Sequence, residues 1–356
     1  MKLRAAALFL SLCSACTATD QYRARRAPEL ERITVLVPGY RGSFLYAGEQ
    51  RVYLSPGDAF TRGDVSLGTC EAGRLPLEAG GPMSKFTVAF YVMDVYDGFM
   101  AWGREALPGF TAFGYDWRQD LTQSARELCD FIGTRRAHVV AHSMGGLVTL
   151  LAAQQCGAQL DSITFAGVPF RGSPGAFDDL FVGTPTVRNT ALLSAEALWT
   201  FSSTWQLLPR TDDFFVDDAG APVTVPISDA ATWSAWALPC PSRLHERLAD
   251  RAKLPLTFDA PHGRAQAVIG RGRATVSAIR RQGELFDFAA PLKADGDGTV
   301  LTSNATPPFP AEAVFTEVDH VALLNDPAVR QAIAAFIVSG ETAAAPPESP
   351  RETGPR

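Results

Sequence analysis

Nowhere in this chain do Lys and Arg gather densely enough to track a phosphate backbone: 32 of its 356 residues are basic, 38 are acidic, and the formal net charge is −6. Nucleic acid is therefore not expected as a partner. The short cluster Arg23, Arg25 and Arg26 reads as part of a solvated linker, although an anionic membrane surface would attract it. Long apolar runs are also missing. Ala5 to Leu12 is too short to span a bilayer as a permanent helix, and with Lys2 and Arg4 before it and small residues after it, residues 1–19 read as a secretory signal. Cys13-Ser14-Ala15-Cys16 loosely resembles a bacterial lipobox. The product is then expected to be exported, either freely secreted or as a lipoprotein with Cys16 as its lipidated N-terminus.

Cysteine is scarce. Past the leader only Cys70, Cys129, Cys156 and Cys240 remain, which permits three pairings and selects none. An exported protein can form disulfides, and buried thiols on helices are the alternative for Cys129 and Cys156. No two of these four have zinc-knuckle spacing, so a structural metal is not expected, and no cofactor is expected either. Internal repeats are absent too. What is present is ordinary globular composition, 46% hydrophobic and 20% charged, enough for one large core.

After a polar linker over 20–32, Ile33 to Val37 is a β-branched run stopped by Pro38-Gly39, which predicts a buried strand. Residues 40–85 are rich in Gly and Pro and predict an irregular excursion. The helical spacing of Leu121, Ala125, Leu128 and Ile132 is followed by a strand at Ala137–Ala141, a helix at Gly145–Ala153 and a strand at Ser162–Ala166. Strands resume at Ala265–Ile269 and Ala313–Phe315, and a helix closes the domain near 328–338. Such alternation predicts a mostly parallel sheet with helices on both faces, over residues 33–340. It lapses between about 176 and 262, in a segment holding Trp199, Trp205, Phe214 and Phe215, which predicts an inserted cap. These aromatics either line an apolar channel for substrate or form the cap's own small core. Residues 341–356, rich in Pro, Ala and Glu, are expected to be disordered.

At the strand-to-helix junction stands His142-Ser143-Met144-Gly145-Gly146. In that context the serine occupies a nucleophile elbow, a tight turn that needs small residues two before and two after it, here Ala141 and Gly145. The Met144 backbone N–H, at a helix N-terminus, is placed to donate to an oxyanion. Serine needs an imidazole to take its proton and a carboxylate to orient that imidazole. Only five histidines exist. His138 lies within a strand, His142 adjoins the nucleophile, and His245 and His262 fall in or beside the cap, which leaves His320 after the last strand. The loop Asp295-Gly296-Asp297 lies where the acid belongs, with Asp297 preferred to Asp295 and Asp319 read as structural. A second oxyanion donor is expected from the backbone of Tyr40 or Arg41, after the first strand.

Six motifs in register resemble lecithin:cholesterol acyltransferase and lysosomal phospholipase A2. They are Val37-Pro38-Gly39 with Gly42-Ser43, Tyr115-Asp116-Trp117-Arg118, Ala141 to Gly146, Gly167 to Ser173, Ser203 to Pro209, and Gly296 to Val300. The resemblance spans about residues 33–340 and implies an α/β-hydrolase fold with Ser143 as nucleophile, Asp297 as acid and His320 as base. It further implies that Asp116 and Arg118 brace the oxyanion loop. The disulfide loop by which the animal enzymes bind membranes has no clear counterpart near Cys70. The expected activity is transfer of a fatty acyl group from a lipid or membrane-borne ester to a lipid hydroxyl or to water, with association at a membrane surface. An exported carboxylesterase or triacylglycerol lipase is the enzymatic alternative, and a lipid-binding lipoprotein on the same scaffold is the non-enzymatic one.

Overall fold

The computed structural model of the chain describes residues 31–54, 67–88, 91–155, 159–186, 189–283 and 285–344. The leader, Cys16, the linker before residue 31, Cys156 and residues beyond 344 lie outside them.

Six strands form the central sheet: β1 (Arg32–Val37), β2 (Phe110–Ala112), β3 (Arg136–His142), β4 (Leu160–Ala166), β5 (Arg264–Gly270) and, further on, Glu312–Thr316. Their spatial order runs from Glu312–Thr316 through β5, β4, β3 and β1 to β2, and every pairing is parallel. A parallel strand buried on both faces needs near-continuous apolar residues, which Ile33 to Val37 and Val139 to Ala141 supply. On one face α1 (Leu121–Ile132) lays down Leu121, Ala125, Leu128 and Ile132, all buried. Asp120 caps its start by accepting from the Thr122 N–H. The helix after β3, α2 (Met144–Gln155), is buried from Met144 to Ala152 because both α1 and the sheet cover it. The opposite face carries the closing helix α3 (Pro327–Ala344), which runs past the boundary at which disorder was expected.

Three features go beyond what the sequence resolved. The Gly- and Pro-rich excursion contains a small antiparallel sheet of Ser43–Ala47, Gln50–Tyr53 and Glu78–Pro82. Between β5 and the last sheet strand, β6 (Arg273–Gln282) and β7 (Leu285–Gly296) make an antiparallel ribbon, with the Asp297 loop at its base. Its residues are largely exposed or half-buried and alternate weakly, so periodicity gives little warning of it. Lastly, Cys70 and Cys240 form a disulfide with Cα atoms 5.4 Å apart, tying the excursion to the segment between β4 and β5. Cys129 is disulfide-bonded as well.

The segment between β4 and β5 holds short helices and an aromatic core of its own. Trp199, Trp205, Phe215 and Trp233 are fully buried, and Phe214 nearly so. Trp205 lies 4.7 Å from Trp233 and Phe177 lies 5.0 Å from Phe286 of the ribbon, centroid to centroid. Two indole N–H groups find backbone acceptors, Trp205 on Trp199 and Trp233 on Ile227, while that of Trp199 is buried without one. Of the two readings open for Trp199, Trp205, Phe214 and Phe215, the structure has them as core.

Candidate active site

β3 ends at His142, and α2 begins at Met144, so Ser143 makes the whole turn. Its φ is +53°, a left-handed value that a β-carbon disfavours. Close packing sustains the strain. A β-carbon at Gly145 would fall 2.5 Å from the carbonyl oxygens of Val37 and Pro38, and one at Gly39 would fall 2.7 Å from the Ser143 Cβ. Glycine is therefore required at both positions if the end of β1 is to lie against the elbow.

The loop after the last sheet strand brings in His320. Its Nδ1 is 2.7 Å from Asp297 Oδ2, and its backbone N–H donates to the Asp297 carbonyl at 3.0 Å. The other carboxylate oxygen accepts from the Val300 and Thr299 N–H groups at 2.7 and 2.9 Å. Burial raises the Asp297 pKa, but these donors, His320 first, outweigh it and hold the carboxyl below its ordinary value. Asp297 is 1% exposed. Asp295, by contrast, is taken up by the Gly272 N–H and the Thr302 hydroxyl, and Asp319 pairs with Arg273 at 3.2 Å.

Ser143 and His320 face one cavity of about 380 Å³, together with Tyr40, Arg41, Leu207, Val276 and Thr299. Tyr40 and Arg41, expected to offer a second backbone donor, line the same cavity as Ser143, and Arg41 shares its left-handed backbone at φ +61°. The Tyr40 hydroxyl bonds to Thr204 at 2.7 Å. Trp199, Trp205, Phe214 and Phe215 do not line this cavity.

Asp116 and Arg118 act elsewhere than expected. Arg118 is fully buried, grips Asp116 with two bonds of 2.9 Å, and donates to the carbonyls of Leu67 and Leu75 at 2.6 and 2.9 Å. The pair therefore holds the loop that carries Cys70. It is Tyr115 and Trp117, alternating to the other side, that brace the oxyanion loop: the Tyr115 hydroxyl donates to the Pro38 carbonyl at 2.9 Å and the Trp117 N–H to Ser43 at 3.0 Å. The motif was legible, but which of its side chains face that loop was not. Tyr96 was missed outright. Its hydroxyl accepts from the Gly39 N–H at 2.9 Å and lies 2.8 Å from His142 Nδ1. Among the described residues the one cluster of metal-ligating type, Cys70, Glu196 and Cys240, contains the disulfide.

A parallel sheet with a strained serine at a strand-to-helix turn, and a carboxylate and a histidine on later loops, is the α/β-hydrolase fold. The family profile of lecithin:cholesterol acyltransferase matches residues 83–235. Over those residues the chain is similar to that family, and its fold is that of the α/β-hydrolases. An uncharacterized protein of Saccharomyces cerevisiae, YJR098C, is 26% identical over 203 residues, covering 53% of this chain and 31% of that protein. The chain thus spans about a third of that relative's length. Among solved structures, a chain of the Tle4–Tli4 complex superposes with a TM-score of 0.55 at 14% identity, over 88% of this chain and 99% of that one. The mature lipase BlEst2 of Bacillus licheniformis superposes with a TM-score of 0.36 at 13% identity, over 86% and 91% of the two chains.

Proposed function

We propose that the protein is an exported serine acyltransferase or lipase that acts on lipid esters through Ser143, His320 and Asp297. The observation that carries this reading is the meeting of Ser143, at a strained elbow, with the buried His320–Asp297 pair on one cavity. In the proposed reaction Ser143 Oγ attacks the ester carbonyl while His320 Nε2 takes its proton. The tetrahedral oxyanion would be met by the Met144 N–H and a backbone N–H of Tyr40 or Arg41. On collapse, the alcohol leaves with the proton that His320 gained, and the acyl group remains on Ser143. Water then yields a fatty acid, whereas a lipid hydroxyl in the cavity yields a new ester. Asp297 stays ionised and stabilises the imidazolium through the Nδ1 bond.

The test is incubation of the mature protein with phospholipid vesicles containing a long-chain alcohol or sterol, with Ser143→Ala as control. New ester that vanishes in the variant supports acyl transfer, and serine-dependent fatty acid alone supports a phospholipase. If wild type and variant both release nothing, the phospholipid assignment fails.

A further inference from the structure

Behind the Ser143 cavity, four groups from four separate segments join in a line. Gly39 N–H lies 2.9 Å from the Tyr96 hydroxyl, that hydroxyl lies 2.8 Å from His142 Nδ1, and His142 Nε2 lies 3.0 Å from the His320 carbonyl oxygen. Both ring residues are almost wholly buried, Tyr96 at 2% exposure and His142 at 5%. The two ends of the line have no choice of role, since a backbone N–H only donates and a carbonyl only accepts. A proton must therefore sit on His142 Nε2 to reach the His320 carbonyl. A neutral ring then has a bare Nδ1, which takes the single hydroxyl proton of Tyr96, and the lone pairs of that hydroxyl receive Gly39. Every bond runs one way, from the oxyanion loop to the backbone of the base.

We propose that Tyr96 and His142 are positioning residues, forming a one-directional hydrogen-bond relay that sets the oxyanion loop against His320 and locks His142 in its neutral Nε2–H tautomer. This rests on the serine-hydrolase reading above. Two consequences make the relay more than packing. Gly39 directly precedes Tyr40 and Arg41, so its N–H anchor fixes the backbone whose donors would meet the oxyanion, and displacement by about 1 Å costs on the order of 100-fold in rate. The second is electrostatic. The His142 and His320 rings are 4.7 Å apart, and His320 must become cationic during the reaction. A neighbouring imidazolium at that distance would oppose the charge, so His142 must stay neutral. Burial, and then the nearness of His320, depress the His142 pKa to about 3, which agrees with a ring that remains neutral at working pH.

The experiment pairs two measurements on the full mature chain. Nitrogen-15 NMR of labelled histidines reads tautomers without reference to activity. One ring is expected to show a protonated Nε2 and a bare Nδ1, and to hold that state across about pH 5 to 8, where ordinary histidines titrate. His142→Gln identifies the signal by its loss. A titrating His142, or one protonated at Nδ1, overturns the relay. The second measurement is covalent labelling of Ser143 by a fluorophosphonate, resolved into binding and bond formation. Tyr96→Phe keeps the ring and removes only the hydroxyl, and it is expected to slow bond formation by about 10- to 100-fold with binding unchanged. A folded Tyr96→Phe variant that labels within twofold of wild type has only a structural tyrosine there, and the proposal fails. Wild-type protein that takes no label at all would instead sink the serine-hydrolase reading, with the tautomer still deciding the relay. The tautomer also decides it if Tyr96→Phe does not fold.

Discussion

Arg41 and Asp179 form an ion pair, Nη2 to Oδ2 at 2.8 Å, that joins the oxyanion loop to the helix Gly175–Val182 at the start of the insert. Both side chains are mostly buried, at 19% and 22% exposure. Desolvation lowers the Arg41 pKa, and the Asp179 carboxylate more than restores it, so Arg41 stays charged. Removing one member of such a pair leaves the other charge without its counterion. Asp179→Asn is therefore expected to cost about 1–3 kcal/mol in urea denaturation. It should also slow fluorophosphonate labelling of Ser143, because Arg41 then loses its tether. Unchanged stability and labelling together would show that the pair is merely a surface contact.

Asp178, the preceding residue, behaves oppositely. Burial, and then repulsion from Asp179, raise its pKa to about 6, and its Oδ1 finds no hydrogen-bond partner. A carboxyl whose pKa is raised on folding binds its proton more tightly in the native state, so stability falls as pH rises from about 4 to 6 and stays lower above that. Asp178→Asn should accordingly raise Tm at pH 8 and leave it nearly unchanged at pH 4. Equal shifts at both pH values would assign the effect to something other than ionisation.

For Asp297 the sign reverses, because its pKa is depressed. The stability it contributes is present above the ordinary carboxylate range and is lost as pH falls through the folded value. In the proposed reaction Asp297→Asn removes the charge that would hold the His320 tautomer and stabilise its imidazolium. Turnover is expected to drop on the order of 10⁴-fold. Acid unfolding of the variant should also lose part of its pH dependence below about pH 4. Retention of a tenth of wild-type turnover would argue that another carboxylate serves His320.

Arg210 is 7% exposed, and its Nε and Nη2 are buried with no hydrogen-bond partner. Burial, and then the charge of Arg251, lower its pKa to about 9. A base whose pKa is depressed on folding destabilises the native state while charged, that is, below about pH 9. Arg210→Met keeps the apolar stem and removes that cost, and it is expected to stabilise the protein by about 1–3 kcal/mol at neutral pH. Destabilisation would mean that the guanidinium finds a partner in solution.

Much of the architecture was legible because its signals are local. Strand runs such as Ile33 to Val37 and the spacing of Leu121, Ala125, Leu128 and Ile132 follow from the sheet pleat and the helical turn. The elbow was legible because few residue types tolerate its crowding. The β6–β7 ribbon was not, since its half-exposed strands leave no clean alternation. In the Tyr115 to Arg118 motif, composition identified the segment, but the direction of each side chain depends on where the backbone turns.

By itself the sequence determined the alternation of the main sheet strands and helices, the elbow at Ser143, and the shortlist that contains Asp297 and His320, because periodicity, turn chemistry and residue type are written along the chain. Only the tertiary structure decided that Cys70 pairs with Cys240, that Arg118 holds the Cys70 loop, and that Tyr96 reaches both Gly39 and His142. Each of these joins segments at least 43 residues apart. Such pairings depend on distances set by the packed sheet, and no local pattern encodes them.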